Sequence, residues 1–257
     1  MSESMEGMIR EPGRQSDANR RATEMAEAYW SHSPGSVSVK LENFTKYVTR
    51  ESLTKFLVRS DVFRQQLEVH GSVVELGVAR GISLMTWAHL SAIYEPTNYN
   101  RRIIGFDTFT GFPAIHEKDA QGTSWFLREG GFEVEQDMQA DIEHAVEILD
   151  TSRFLGHIPK VELVAGDIME TVPKYIEEHP ELVVSLLHLD ADLYAPTKLA
   201  LEQIVPRMPK GAIILFDELN MKEFPGETVA TIEALGLHTL RLRRFPHATC
   251  MSYAVIE

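Results

Sequence analysis

Between residues 72 and 216 the chain alternates short, continuous apolar runs with longer stretches whose apolar positions recur every three or four residues. The runs fall at 73–76, 103–106, 161–164, 183–189 and 212–216, each bounded by Gly, Pro or charged residues. Apolar runs of this length suit parallel strands buried on both faces, and the helical intervals suit crossover connections. Segments 239–242 and 251–256 flank Phe245-Pro246-His247-Ala248, too short a link for a helix, and predict a terminal antiparallel hairpin. The expected class is therefore α/β, a doubly wound, mostly parallel seven-stranded sheet ending in that hairpin.

Two segments stand outside this repeat. Residues 1–40 read as an N-terminal arm, with a helix over 17–30 and a turn at Ser33-Pro34-Gly35; residues 41–257 read as the main domain. A helix is expected from Thr49 with Leu53, Phe56 and Leu57 on one face, then a second helical stretch through Val62, Phe63 and Leu67. Residues 114–160 are far longer than a crossover needs. They hold Gly130-Gly131 and an amphipathic helix through Val134, Met138, Ile142, Ala145, Val146 and Leu149, and are expected to form a lid.

Composition narrows the partners. With 257 residues and 44% hydrophobic content the chain can bury one full-sized core. A net charge of −13 disfavours nucleic acid and anionic membranes. The single cysteine, Cys250, excludes an internal disulfide and a Cys-based zinc site. The first 14 residues are polar, and no apolar run reaches bilayer length, so a cytoplasmic protein is expected. Met25, Tyr29 and Trp30 on the arm suggest a homo-oligomer contact.

Candidate chemistry begins at Val73-Val74-Glu75-Leu76-Gly77-Val78-Ala79-Arg80-Gly81, a strand entering a glycine turn before a helix. Dinucleotide binding wants G-x-G-x-x-G, and here Ala79 replaces the second glycine. The spacing suits S-adenosylmethionine, which has no pyrophosphate. Its ammonium can meet the Glu75 carboxylate beside Gly77, and its carboxylate the helix start after Gly81, with Arg80 or Ser83. The second run ends at Asp107, followed by Thr108 and Phe109, and is expected to reach the ribose hydroxyls; the third ends at Asp167-Ile168, expected at the adenine. Asp190 closes the fourth run beside this loop and joins the expected cofactor contacts. Asp190, Asp217 and Glu218 close adjacent strands and can converge on one cation; all-oxygen ligands suit Mg²⁺ and can also accept Ca²⁺ or Mn²⁺.

The runs Gly105-Phe106-Asp107-Thr108-Phe109-Thr110-Gly111-Phe112-Pro113, Leu189-Asp190-Ala191-Asp192-Leu193-Tyr194-Ala195-Pro196-Thr197 and Phe216-Asp217-Glu218 resemble those of the macrocin O-methyltransferase family of antibiotic deoxysugar enzymes, over residues 44–257. The resemblance implies S-adenosylmethionine-dependent O-methylation of a nucleotide-linked deoxysugar, TDP-rhamnose-like and at its 3-OH. It implies a divalent metal on Asp190, Asp217 and Glu218, and Asp192 as general base. Glu218 departs from the second Asp common in that family. His116, His188 and His247 are expected to be structural. Three rival readings stand: a catechol-type O-methyltransferase, a binder of the cofactor without chemistry, and a nicotinamide dehydrogenase, the last disfavoured by Ala79 and the hairpin.

Overall fold

The computed structural model describes residues 16–257, so the polar stretch over residues 1–14 lies outside the described residues. These residues separate into two units, 16–55 and 56–257. In the first, α1 (Asp17–His32) starts at Ser16, whose hydroxyl accepts the Asn19 N–H while the Asn19 side chain accepts the Ser16 N–H. The short α2 (Val37–Glu42) follows, and Tyr29 and Trp30 pack on Tyr47 with ring centroids 5.3 and 5.0 Å apart. Met25 stays 71% exposed.

A single helix, α3 (Arg50–Gln65), replaces the two stretches expected there. Its buried residues are Val58, Arg59, Val62 and Phe63, whereas Phe56 and Leu57 are exposed. The second unit then builds β1 (Ser72–Leu76), α4 (Ile82–Tyr94), β2 (Ile103–Asp107), α5 (Met138–Ser152), β3 (Val161–Ala165), α6 (Ile168–Glu178) and β4 (Val184–Leu189). After these come α7 (Tyr194–Gln203), β5 (Ile213–Phe216), α8 (Pro225–Ala234), β6 (Arg243–Phe245) and β7 (Ala248–Val255).

The seven strands lie in the order β3-β2-β1-β4-β5-β7-β6; the first five are parallel, and β7 runs antiparallel to both β5 and β6. Alternate residues point to opposite faces. Val74, Leu76, Ile104, Leu187 and Ile214 meet Val172, Tyr175 and Leu201 on one side, while Val73, Ile103, Leu186 and Ile213 meet Val62, Phe63, Leu84 and Trp87 on the other. This double coverage explains the mostly apolar runs. The hairpin begins later than its pattern suggests: residues 237–239 form a 3₁₀ turn, and β6 starts at Arg243. Strand order reverses between β1 and β4, so the carboxyl ends of these two strands flank the crevice where open α/β sheets take ligands. Among the described residues no helix is long and apolar enough to cross a membrane.

Candidate active site

The turn after β1 is held in a conformation that glycine permits. Gly77 sits at φ +87° and Gly81, which begins α4, at φ +79°. A Cβ at Gly77 would overlap the backbone carbonyl of Asp190, and one at Gly81 would press on Ile142 of α5. Ala79, Phe109, Asp192 and Asn220 also have positive φ, one each in the loops after β1, β2, β4 and β5. Left-handed backbone at non-glycine residues costs of order 1–3 kcal/mol and gathers at functional sites. Here it marks the same rim four times.

Asp107 ends β2 at this rim, and its carboxylate is engaged with backbone. Oδ2 accepts the N–H groups of Val78 and Ala79 at 2.7 and 2.8 Å, and Oδ1 accepts that of Phe109 at 2.6 Å. It therefore ties the β1 turn to the β2 turn, a role the sequence reading, which sends it to ribose, does not contain. Thr108 closes the same turn through Gly111 O at 2.7 Å, and the Phe109 ring packs against the core. At the end of β3, Asp167 caps α6 by accepting the Met169 N–H at 2.9 Å, and Ile168 is buried in the core beside it.

Glu75, expected to meet the cofactor's ammonium, has a fully buried side chain: Oε2 accepts from Trp87 Nε1 at 2.7 Å and from His188 Nδ1 at 3.2 Å, while Oε1 has no hydrogen-bond partner. Arg80 is partly exposed and paired with Glu135 of the insertion, Nε and Nη2 each at 2.9 Å. An exposed pair of this kind is worth about 0–1 kcal/mol. Ser83 is buried and accepts a hydrogen bond from Arg59.

The acidic rim forms because β4 and β5 are parallel neighbours in register, Leu189 opposite Phe216. Each chain continues into acids at the same height, and the Asp217 N–H reaches Leu189 O at 3.2 Å. One carboxylate oxygen each from Asp190, Asp192 and Glu218 lies within 4.8 Å of the others, as do ligand atoms of His188, Asp190 and Asp217. Asp217 and Glu218 are buried; Asp190 and Asp192 are half-buried. His188 joins this group through an otherwise unpartnered Nε2, 3.9 Å from Asp190 Oδ2.

A fifth acid escapes the sequence reading. Glu227, fully buried in the first turn of α8, accepts the Glu218 N–H through Oε1 at 3.1 Å. The signal for it was Pro225-Gly226-Glu227, which reads as an ordinary helix start. Burial first, and then the Asp217 charge, push both Glu218 and Glu227 well above the usual carboxylate range. Oε2 of each has no hydrogen-bond partner.

The insertion is fastened beside these acids. Buried Asp119 accepts the Tyr194 N–H at 2.8 Å, and His116 lies against the Tyr194 ring at 4.6 Å. Lys118 bonds the Tyr194 hydroxyl at 2.9 Å and pairs with Glu233 of α8. Further on, Phe132 packs on Phe112, Phe126 and Phe224 at 5.4, 4.4 and 5.9 Å, and α5 buries Ile142 and Leu149. His116 is thus occupied in holding the turn that carries Asp192.

Comparison with known proteins identifies the family and the fold. The model of the macrocin O-methyltransferase (TylF) family matches residues 43–232. CalS11, a calicheamicin methyltransferase, is 35% identical with a TM-score of 0.90 over 99% of both chains. Its apo form, described as a TDP-rhamnose 3'-O-methyltransferase, gives 33% and 0.82 over 94% of this chain and 95% of that one. The O-methyltransferase NovP, 17% identical with a TM-score of 0.62 over 79% of each chain, shares the fold. Comparison with curated proteins returns no match. With the family model spanning most of the chain and a 35% identical relative aligned along its length, the chain belongs to the macrocin O-methyltransferase family and is an S-adenosylmethionine-dependent O-methyltransferase.

Proposed function

We propose that the enzyme methylates a hydroxyl of a nucleotide-linked deoxysugar, the 3-OH of a TDP-rhamnose-like sugar, in antibiotic biosynthesis, with Mg²⁺ at the acidic rim. The observation that carries the metal is the pair of buried carboxylate oxygens without partners, Glu218 Oε2 and Glu227 Oε2, beside Asp190, Asp192 and Asp217. Clustered carboxylates at low dielectric need protons or a cation, and an all-oxygen donor set suits a hard dication. Asp190, Asp217 and Glu218 are the residues that would hold it. When bound, it supplies a Lewis acid that lowers the pKa of the acceptor hydroxyl.

Asp192 takes the acceptor's proton: one of its carboxylate oxygens lies within 4.8 Å of oxygens of Asp190 and Glu218, so it stands at the rim where the acceptor hydroxyl would be held. The turn at Gly77, lying against Asp190, sets the methyl donor's loop beside the acceptor's rim, which is the proximity that a direct transfer needs. The sugar assignment rests on the relative CalS11 and its described substrate.

A methyl-transfer screen of the purified protein against TDP-deoxysugars and catechols, with Mg²⁺ or chelator, tests the reading. Methylation of TDP-rhamnose that stops with chelator and returns with Mg²⁺ supports it. Turnover of catechols alone would transfer the chain to the catechol-type reading, and indifference to chelator removes the metal.

A further inference from the structure

Among the described residues, Arg59 carries a buried guanidinium that the acceptor chemistry does not use. It is 1% exposed on α3, its Nη2 donates to the Ser83 hydroxyl, and its Nε and Nη1 have no hydrogen-bond partner. Among the described residues no carboxylate pairs with it. Arg101 shows what this chain does with a structural arginine: 3% exposed, it is paired with Glu95 and donates to Gln66, Ser185 and the carbonyls of Gly71 and Val69. A guanidinium keeps its charge under all ordinary conditions, and a buried charge left uncompensated is strongly unfavourable.

The place is telling. Ser83 is the second residue of α4, and Gly81 gives that helix no side-chain cap. The first N–H groups of a helix lack intrahelical partners and carry the positive end of its dipole. The Arg59 guanidinium, through its bond to Ser83, thus lies at the start of this uncapped helix, next to the glycine turn. Arg80, the other cation there, is exposed and already paired with Glu135.

We infer that Arg59 is a cofactor-binding residue: its guanidinium, together with the Ser83 hydroxyl and the start of α4, receives the α-carboxylate of S-adenosylmethionine. The cofactor thereby neutralises a charge that the fold leaves unpaired. The inference rests on the use of that cofactor by this chain and adds the residue that reads its amino acid end.

Calorimetric titration separates the two. Wild type, Arg59→Lys and Arg59→Met are each titrated with S-adenosylhomocysteine and with 5'-deoxy-5'-methylthioadenosine, which lacks the amino acid moiety. Loss of charge-assisted hydrogen bonds to the carboxylate predicts that Arg59→Met binds adenosylhomocysteine at least about tenfold more weakly. Its methylthioadenosine affinity stays within about twofold of wild type, and Arg59→Lys falls between. The unliganded Arg59→Met protein melts no lower than wild type, since it has lost an unpaired charge, whereas removal of a purely structural arginine lowers the midpoint. Equal loss for both ligands, or no loss for either, overturns the inference. Failure of wild type to bind adenosylhomocysteine would instead remove the cofactor reading beneath it. Should Arg59→Met not fold, the same two-ligand comparison on Arg59→Lys decides.

Discussion

The carbonyl of Asp190 lies directly over Gly77, and its N–H donates to Leu76 O at 2.9 Å. The turn expected to hold the methyl donor and the strand end expected to hold the metal therefore share one backbone contact. Gly77→Ala would introduce a Cβ into that carbonyl at a positive φ, two costs together of at least about 2 kcal/mol. The expected outcome is a lower melting midpoint and loss of adenosylhomocysteine binding; unchanged binding would show that the two loops move apart freely.

Asp107→Ala removes the acceptor of three backbone N–H groups, each bond to a charged group being worth roughly 1.5–3 kcal/mol. Cofactor affinity should fall at least about tenfold, and amide exchange at Val78, Ala79 and Phe109 should quicken. Weaker binding with those amides equally protected would return Asp107 to a purely ligand-facing role.

Asp190→Asn and Asp217→Asn should weaken Mg²⁺ affinity, and excess Mg²⁺ should partly restore activity. Asp192→Asn keeps a residue type tolerant of positive φ, so its fold is undisturbed. It should bind metal and cofactor normally and lose about 10²–10⁴ in rate, the residual rate rising with pH as hydroxide replaces the base. Recovery of Asp192→Asn by Mg²⁺ alone would make it a ligand.

For Glu227 the contrast is between glutamine and alanine. Glu227→Gln retains an oxygen that can accept the Glu218 N–H, whereas Glu227→Ala leaves that buried donor unsatisfied at about 1–3 kcal/mol. Alanine should therefore lower Mg²⁺ affinity about tenfold or more, with glutamine milder. Equal Mg²⁺ titrations for both variants would confine Glu227 to packing.

Lys160 provides a pH test of stability. It is buried, its Nζ donates to Asn98 O at 2.6 Å, and burial pulls its pKa from the ordinary 10.5 to about 8. Between these values the unfolded chain holds more protons than the folded one, so this group makes stability rise with pH across that window. Lys160→Met should lack the rise. The difference between the two melting midpoints, followed from pH 7 to pH 10.5, measures it, and parallel curves would contradict the assignment.

The strands β1, β2, β4 and β5 were legible because they are buried on both faces and so leave mostly apolar runs, whereas β3 is only half-buried. The acids at 190, 192, 217 and 218 were legible because they directly follow such runs. Glu227 was not, since it lies nine residues beyond Glu218 and comes back only when α8 folds over the strand end. Arg59 hid for another reason: a charge counts as solvent-facing in a helical pattern, so the inner face of α3 was read through Leu57, which is 52% exposed. In β6, Arg243 and Arg244 are exposed on an edge strand, where charge guards against further pairing and masks the alternation. The bonds of Glu75 to Trp87 and His188 were not legible, because the pattern places it one residue from the rim without telling which way its side chain turns.

The three backbone bonds made by Asp107 have an evolutionary side. In dinucleotide folds the acid that closes the second strand reads the ribose, and exchanging it is one route by which such proteins drift between cofactors. Here the equivalent carboxylate is part of the scaffold of two loops at once. Exchanging it would therefore disturb both turns together with any contact it makes to a ligand, so the donor loop cannot be retuned at this position independently of its own backbone.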